Sequence, residues 1–203
     1  SESLKDQTNN FEPLIIKFTK DISGGNNIFL LCPKKDKLVF KFLFKSYSNV
    51  SIYGGDEEDL LKRYALFAES LNQPDTYIMR LCSDSPYLIY KYISKLKIYS
   101  KDLIESKSYK FLTTRLISIN SWKGFNIDIF QSKFILDAYK KNEKISAKLG
   151  DQFIFKIMKD YDYKKISWDD ILNKNEISNI KKIIKDTPTI DTPQDYRNYL
   201  KNI

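Results

Sequence analysis

The sequence contains no histidine. That absence removes Ser-His-Asp and Cys-His nucleophile pairs, the usual zinc sites and the commonest general base near neutral pH. The chemistry left belongs to carboxylates and lysines. Cysteine is almost as scarce: Cys32 and Cys82 each lie inside an apolar run, a pattern that predicts two buried free thiols and favours an intracellular compartment, cytoplasm or nucleus. With four arginines in the chain, bidentate reading of guanine has little to work with. No apolar run approaches the roughly 20 residues of a membrane span, and the N-terminus is polar where a signal peptide needs its apolar core, so no membrane partner is expected.

What is present is a long chain with an uneven charge. A chain of 203 residues buries roughly 70% of its unfolded surface, so neither metal nor disulfide is required to hold it. The net charge is +8. Residues 1–93 carry 12 basic and 12 acidic side chains, residues 94–159 carry 14 and 6, and residues 160–203 carry 8 and 8. All of the excess therefore sits in the middle third, as a surface facing a polyanion requires.

The apolar pattern predicts strands in the first half. Residues 1–12 are polar and without period, a leader ahead of one α+β domain over 13–203. Runs at 14–18, 28–32 and 38–44 read as strands, the last two as a hairpin across Pro33-Lys34-Lys35-Asp36-Lys37, with Gly24-Gly25 in the preceding turn. Asp56 is placed to cap a helix with the stripe Leu60, Leu61, Tyr64, Phe67, Ala68 and Leu71. Runs 77–82 and 87–93 complete the order β-β-β-α-β-β. The expected core of this half is Leu30, Leu38, Phe40, Phe42, Leu60, Phe67, Ile78 and Ile89.

From Ser100 the spacing turns helical, through Leu103, Ile104, Phe111, Leu112, Leu116 and Ile119, then Phe130, Phe134, Ile135 and Ala138. Residues 153–158 fit a strand or a buried helix. A cap at Ser167 precedes the stripe Ile177, Ile180 and Ile184, and Thr192-Pro193 starts a final helix. The predicted class is α+β, with an antiparallel-rich sheet in the N-terminal half (13–93) and a helical C-terminal half (94–203).

The order β-β-β-α-β-β is similar to the small lobe of protein kinases. That resemblance implies Gly24-Gly25-Asn26-Asn27 over the phosphates, Lys41 as the strand lysine and Glu57 or Glu58 as its ion-pair partner. The departures are heavy: G-x-G-x-x-G, His-Arg-Asp and Asp-Phe-Gly are all absent, and Asn126-Ile127-Asp128 only echoes a metal-binding pair. A degenerate, non-phosphorylating version of the fold is what the resemblance leaves. Separately, Asp75 followed by Glu105 and Lys107 resembles the acid, acid and lysine of metal-dependent nucleases, which requires their convergence on one Mg²⁺.

The basic segment is the remaining candidate. Lys107, Lys110, Arg115, Lys123, Lys133, Lys140, Lys141, Lys144 and Lys148 are interleaved with Tyr109, Phe111, Trp122, Phe125 and Tyr139, the mixture that phosphate backbones and unstacked bases use. The same residues also suit a soluble helical bundle with lysines outside and aromatics within. The sequence thus predicts a non-catalytic protein that binds nucleic acid or another polyanion, without catalytic residues, metal or cofactor. The alternatives are a protein-interaction module with an acidic protein partner and, third, a metal-dependent nuclease.

Overall fold

The computed structural model describes residues 14–85, 87–107, 109–115, 124–184 and 189–201. Helices and strands alternate from the start. Helix α1 (Leu14–Ser23) precedes strand β1 (Ile28–Pro33), helix α2 (Lys37–Leu43), β2 (Val50–Gly55), α3 (Leu60–Ser70) and β3 (Tyr77–Leu81). Helix α4 (Tyr90–Lys107) leads to β4 (Phe111–Thr113) and β5 (Ile127–Gln131). Helices α5 (Ser132–Asn142), α6 (Ser146–Leu149) and α7 (Phe153–Asp160), strand β6 (Lys164–Lys165) and helices α8 (Lys174–Ile184) and α9 (Pro193–Lys201) follow.

The strands form two sheets. β1 and β2 pair in parallel, joined by the crossover through α2. The second sheet has the order β3-β5-β4-β6, with β5 antiparallel to both β3 and β4 and β6 parallel to β4. The expected class is therefore corrected: the chain is mixed α/β, one sheet is parallel, the other mixed, and helices are interleaved throughout. Two buried free thiols were expected: both cysteines are free, Cys32 buried and Cys82 only half-buried.

Four segments depart from the expected elements, each because a short apolar run does not separate strand from helix. Residues 14–18 belong to α1, whose Ile15, Phe18 and Ile22 return to one side at helical spacing. Residues 38–44 lie in and just after α2, in which no residue is buried; Leu38 is 77% exposed and Phe42 69%. Tyr87–Ile93 does not pair with a sheet and instead enters α4, whose buried Ile93, Leu96 and Ser100 follow the helical period. Phe111 and Leu112 form β4, and Phe130 lies in β5, because their long-range partners are strands. Of the expected core, Phe67 is buried and Leu30, Phe40, Leu60 and Ile78 are half-buried, whereas Leu38, Phe42 and Ile89 are exposed. The expected leader, Leu116 and Ile119 lie outside the described residues.

Local chemistry explains the boundaries that hold. Gly24 and Gly25 have φ of 44° and 82°, and a Cβ on Gly24 would run into the ring of Tyr90. Asp56 accepts from the backbone N–H groups of Glu58 and Asp59, but the cap of α3 is Asp59, whose Oδ1 accepts from Lys62 N at 2.9 Å. Ser146 Oγ donates to the other oxygen of Asp59, tying α3 to α6. Thr192 opens α9 as expected, with Asp195 Oδ2 accepting from its N–H and hydroxyl, both at 2.8 Å.

Alternation along the strands divides the four-stranded sheet into two faces. Tyr77, Met79, Leu81, Leu112, Ile127 and Ile129 meet α1, α4 and α8 through Phe18, Leu96 and Ile180. Ile78, Phe111 and Phe130 meet α3, α5 and α7 through Leu61, Ile135 and Ile157. The sheet is covered on both faces, so a polar side chain on either one must find a partner inside.

Candidate active site at the edge of the mixed sheet

One polar row crosses the second face. Arg80 on β3 and Thr113 on β4 are both register partners of Asp128 on β5, one step beyond the apolar row Ile78, Phe130 and Phe111. Asp128 is fully buried. Its Oδ2 accepts from Arg80 Nη1 at 2.8 Å, and its Oδ1 from Thr113 Oγ1 at 2.7 Å. Arg115 Nε lies 3.0 and 3.1 Å from the two oxygens, and Arg115 Nη2 is 3.1 Å from Oδ2. A carboxylate offers about four lone-pair positions, so Asp128 is saturated.

Two guanidiniums on one carboxylate leave an excess positive charge. Arg80 is held deepest, its Cζ 5.6 Å from the ring centroids of both Tyr64 and Phe153. Burial opposes its charge, but Tyr64, Cys82 and Asp128 outweigh that and hold the guanidinium above its usual range. Its Nε is buried without a hydrogen-bond partner. Burial pushes the Tyr64 phenol up. Arg115 is the outer member, with 16% of its side chain exposed and its Cζ 5.8 Å from the ring of Phe155.

The C-terminal ends of β3 and β4 share an edge, since both run antiparallel to β5. There β3 passes into Cys82-Ser83-Asp84, and the Ile190 N–H donates to Asp84 O at 2.9 Å. This bond places Asp84 and Asp191 on adjoining segments. Ser85 Oγ donates to Asp84 Oδ1 at 3.2 Å and Thr189 Oγ1 to Asp191 Oδ2 at 2.9 Å, leaving the opposite oxygen of each carboxylate without a hydrogen-bond partner among the described residues. The start of α9 fixes Asp191 from the other side, its N–H donating to Asp195 Oδ2 at 3.2 Å. Tyr199 of α9 is buried with its ring 5.4 Å from that of Tyr87, so the helix is docked over the loop that carries Asp84. Among the described residues no group of three or more metal-ligating side chains occurs.

The residues expected to bind a polyanion are not brought together at this edge, apart from Arg115. Lys107 ends α4, and Lys110 and Lys133 lie by the opposite end of β5, around a cleft of about 500 Å³ shared with Tyr109, Gln131 and Tyr161. Lys133 pairs with Asp137 at 2.6 Å. Lys140 and Lys141 are exposed in the last turn of α5, Lys144 lies beyond that helix, and Lys148 is on α6. Helix α5 ends at Asn142, so Lys144 is not on the helix that carries Lys140 and Lys141. Lys123 and Trp122 lie outside the described residues. Phe111 and Phe125 are buried in the two cores, not offered to bases.

The other expected constellations also separate. Lys41 is exposed on α2, and Glu57 pairs with Lys35 at 3.1 Å, so the kinase-like ion pair is not formed. Asp75 accepts from Gln131 in the turn before β3, whereas Glu105 faces Lys101 on α4; the nuclease set does not converge. Arg80, Asp84 and Asp191 were not singled out by the sequence. Arg80 and Asp128 had a signal nonetheless, a charge at an alternate position inside the apolar runs YIMRL and IDIFQ.

No protein-family model matches the sequence, and no curated protein matches it. Solved structures do. A cytidylyltransferase from Leptospira borgpetersenii superposes with a TM-score of 0.59 at 16% identity, over 93% of this chain and 82% of that one. The 4-diphosphocytidyl-2C-methyl-D-erythritol synthase of Anaerococcus prevotii superposes with a TM-score of 0.51 at 12% identity, over 85% and 84%. The fold therefore resembles that of nucleotidyltransferase-like structures. This corrects the expectation of a non-catalytic, nucleic-acid-binding basic protein, and with it the interaction-module and nuclease alternatives. The charge excess is real, and its lysines are spread over α4, α5 and α6.

Proposed function

We propose that the chain is a nucleotidyltransferase acting on a cytidine nucleotide, with its active site at the edge where β3 and β4 end. One juxtaposition carries this: the Ile190 to Asp84 backbone bond joins the two carboxylate-bearing segments, those of Asp84 and Asp191, at that edge. Ligands of open α/β sheets gather beyond the carboxyl ends of strands. The likeness in fold to a cytidylyltransferase over 93% of the chain supports the reaction class and the base.

In such a reaction an acceptor oxygen bonds to the α-phosphorus of the nucleoside triphosphate, and the bond from that phosphorus to the bridging oxygen breaks. Pyrophosphate leaves with the electron pair. Asp84 and Asp191 fit a Mg²⁺, which is held by one or two carboxylates together with substrate phosphates, and both keep an oxygen for it. Bound there, the ion would neutralise phosphate charge and orient the leaving group. The protein's own task is positioning, through the docked α9 and the rigid polar row beneath the edge. No helix among the described residues is long and apolar enough to cross a membrane. A cytoplasmic location fits a nucleoside triphosphate substrate, and nothing supports a nuclear one.

Calorimetric titration of CTP, UTP, ATP and GTP into the full chain with Mg²⁺ tests the reading. CTP should bind, and bind more tightly than the other three. Equal binding of all four, or none of any, would refute it.

A further inference from the structure

We propose that Arg115 anchors a second oxyanion of the reaction, a phosphate or carboxylate carried by the acceptor, and that Asp128 and Thr113 are its positioning residues. This rests on the assignment of the same sheet edge to nucleotidyl transfer. The first support is donor count. Asp128 has no acceptor capacity left after Arg80, Thr113 and Arg115, yet the two guanidiniums still hold a buried, unbonded Arg80 Nε and the Nη1 of Arg115. The excess is of donors and of positive charge together.

The second support is rigidity. Arg115 is gripped at three points: its N–H donates to Thr113 Oγ1 at 3.1 Å, its Nε spans both oxygens of Asp128, and Nη2 meets Oδ2. Thr113 Oγ1 in turn donates a hydrogen bond to Asp128 Oδ1, so one hydroxyl orients both partners. A guanidinium locked on one side, with part of its surface in solvent, is a pre-organised fork for an oxyanion.

The third support is position. The Thr114 N–H donates to Ile127 O, opposite Leu81, so Arg115 follows β4 at the edge where β3 ends. β5 lies between the two strands, so Arg115 and Asp84 leave the sheet at one edge from different strands. That arrangement suits two substrates, with the nucleotide at Asp84 and Asp191 and the anionic group of the acceptor at Arg115.

Inorganic phosphate and acetate are the probes, titrated into the full chain in metal-free buffer with the thermal midpoint as readout. At least one should bind, the tighter naming the group. Arg115→Ala should weaken it roughly tenfold or more, as loss of a hydrogen bond to a charged group does, and Arg115→Lys should weaken it less. Thr113→Val should weaken the anion while its unliganded midpoint stays within a few degrees of wild type, which a merely structural threonine would not produce. Lys107→Ala should change nothing. Phosphate and acetate affinities unaltered by Arg115→Lys and Arg115→Ala would overturn the proposal. Should Arg115→Ala fail to fold, Arg115→Lys and Thr113→Val carry the test. A parallel titration of CTP with Mg²⁺ separates the two claims. Anion binding that depends on Arg115 without CTP binding sinks the proposed reaction alone, and CTP binding with an anion indifferent to Arg115 sinks the anchor alone.

Discussion

Strand β5 and helix α2 invert what their sequences suggest. IDIFQ contains a carboxylate and is buried at four of its five positions, whereas KLVFKFL is more apolar and buries none of its seven residues. Apolar content does not locate a core; long-range partners do. β5 lies between two strands and under helices on both faces, while α2 packs mainly on β2 and the turn before it. The charge in β5 survives burial because two guanidiniums and a hydroxyl meet it.

The largest effect expected from this contrast is at Asp128. Asp128→Ala strands Arg80 and Arg115 in a dry environment and should cost about 3–5 kcal/mol in a urea melt. A loss under 1 kcal/mol would mean that Asp128 is not the buried hub. Next in size, Leu96→Ala removes a fully buried side chain of α4 and should cost about 2–5 kcal/mol. Phe42→Ala on α2, a larger truncation, should stay within about 0.5 kcal/mol. Equal losses at Leu96 and Phe42 would erase the distinction between the two regions.

What the sequence made legible follows the same line. Strands β1 and β3, helices α3 and α9, and the glycine turn after α1 carry their own local signals of alternation, capping and positive φ. The 38–44 run does not, because Leu38, Phe40, Phe42 and Phe44 alternate as a strand would, and only the parallel pairing of β1 with β2 shows that the segment between them is a crossover. Nor could the site be read. Asp84 and Asp191 are more than a hundred residues apart, their segments joined by the bond from Ile190 N–H to Asp84 O, and Arg80, Asp128 and Arg115 meet through strand register. The lysine excess was visible because composition is local.

Smaller effects sharpen the picture. Asp59→Ala removes the cap of α3 and its bond to Ser146, and should cost about 0.5–2 kcal/mol by denaturant melt. A neutral result would detach α6 from α3. Glu176 bonds Lys91 and Lys95, 2.8 and 2.7 Å away, and accepts from Asn173 N, which together lower its carboxyl to about 2. A depressed acid stabilises the fold fully above its ordinary value, 4.5, and loses that contribution as the pH falls toward about 2. The thermal midpoint of Glu176→Gln should therefore lie below wild type at pH 7 and converge on it toward pH 2. Parallel pH profiles would show that the pair does not tie α4 to α8.

The most direct measurement is the dissociation constant of CTP with Mg²⁺ for the wild-type chain, Asp84→Asn and Asp191→Asn, each checked for an unchanged melt. If the edge of the mixed sheet is the active site, the wild-type chain binds and each variant is weakened roughly tenfold or more, ~1.4 kcal/mol. Binding of CTP that neither substitution alters would place the site elsewhere.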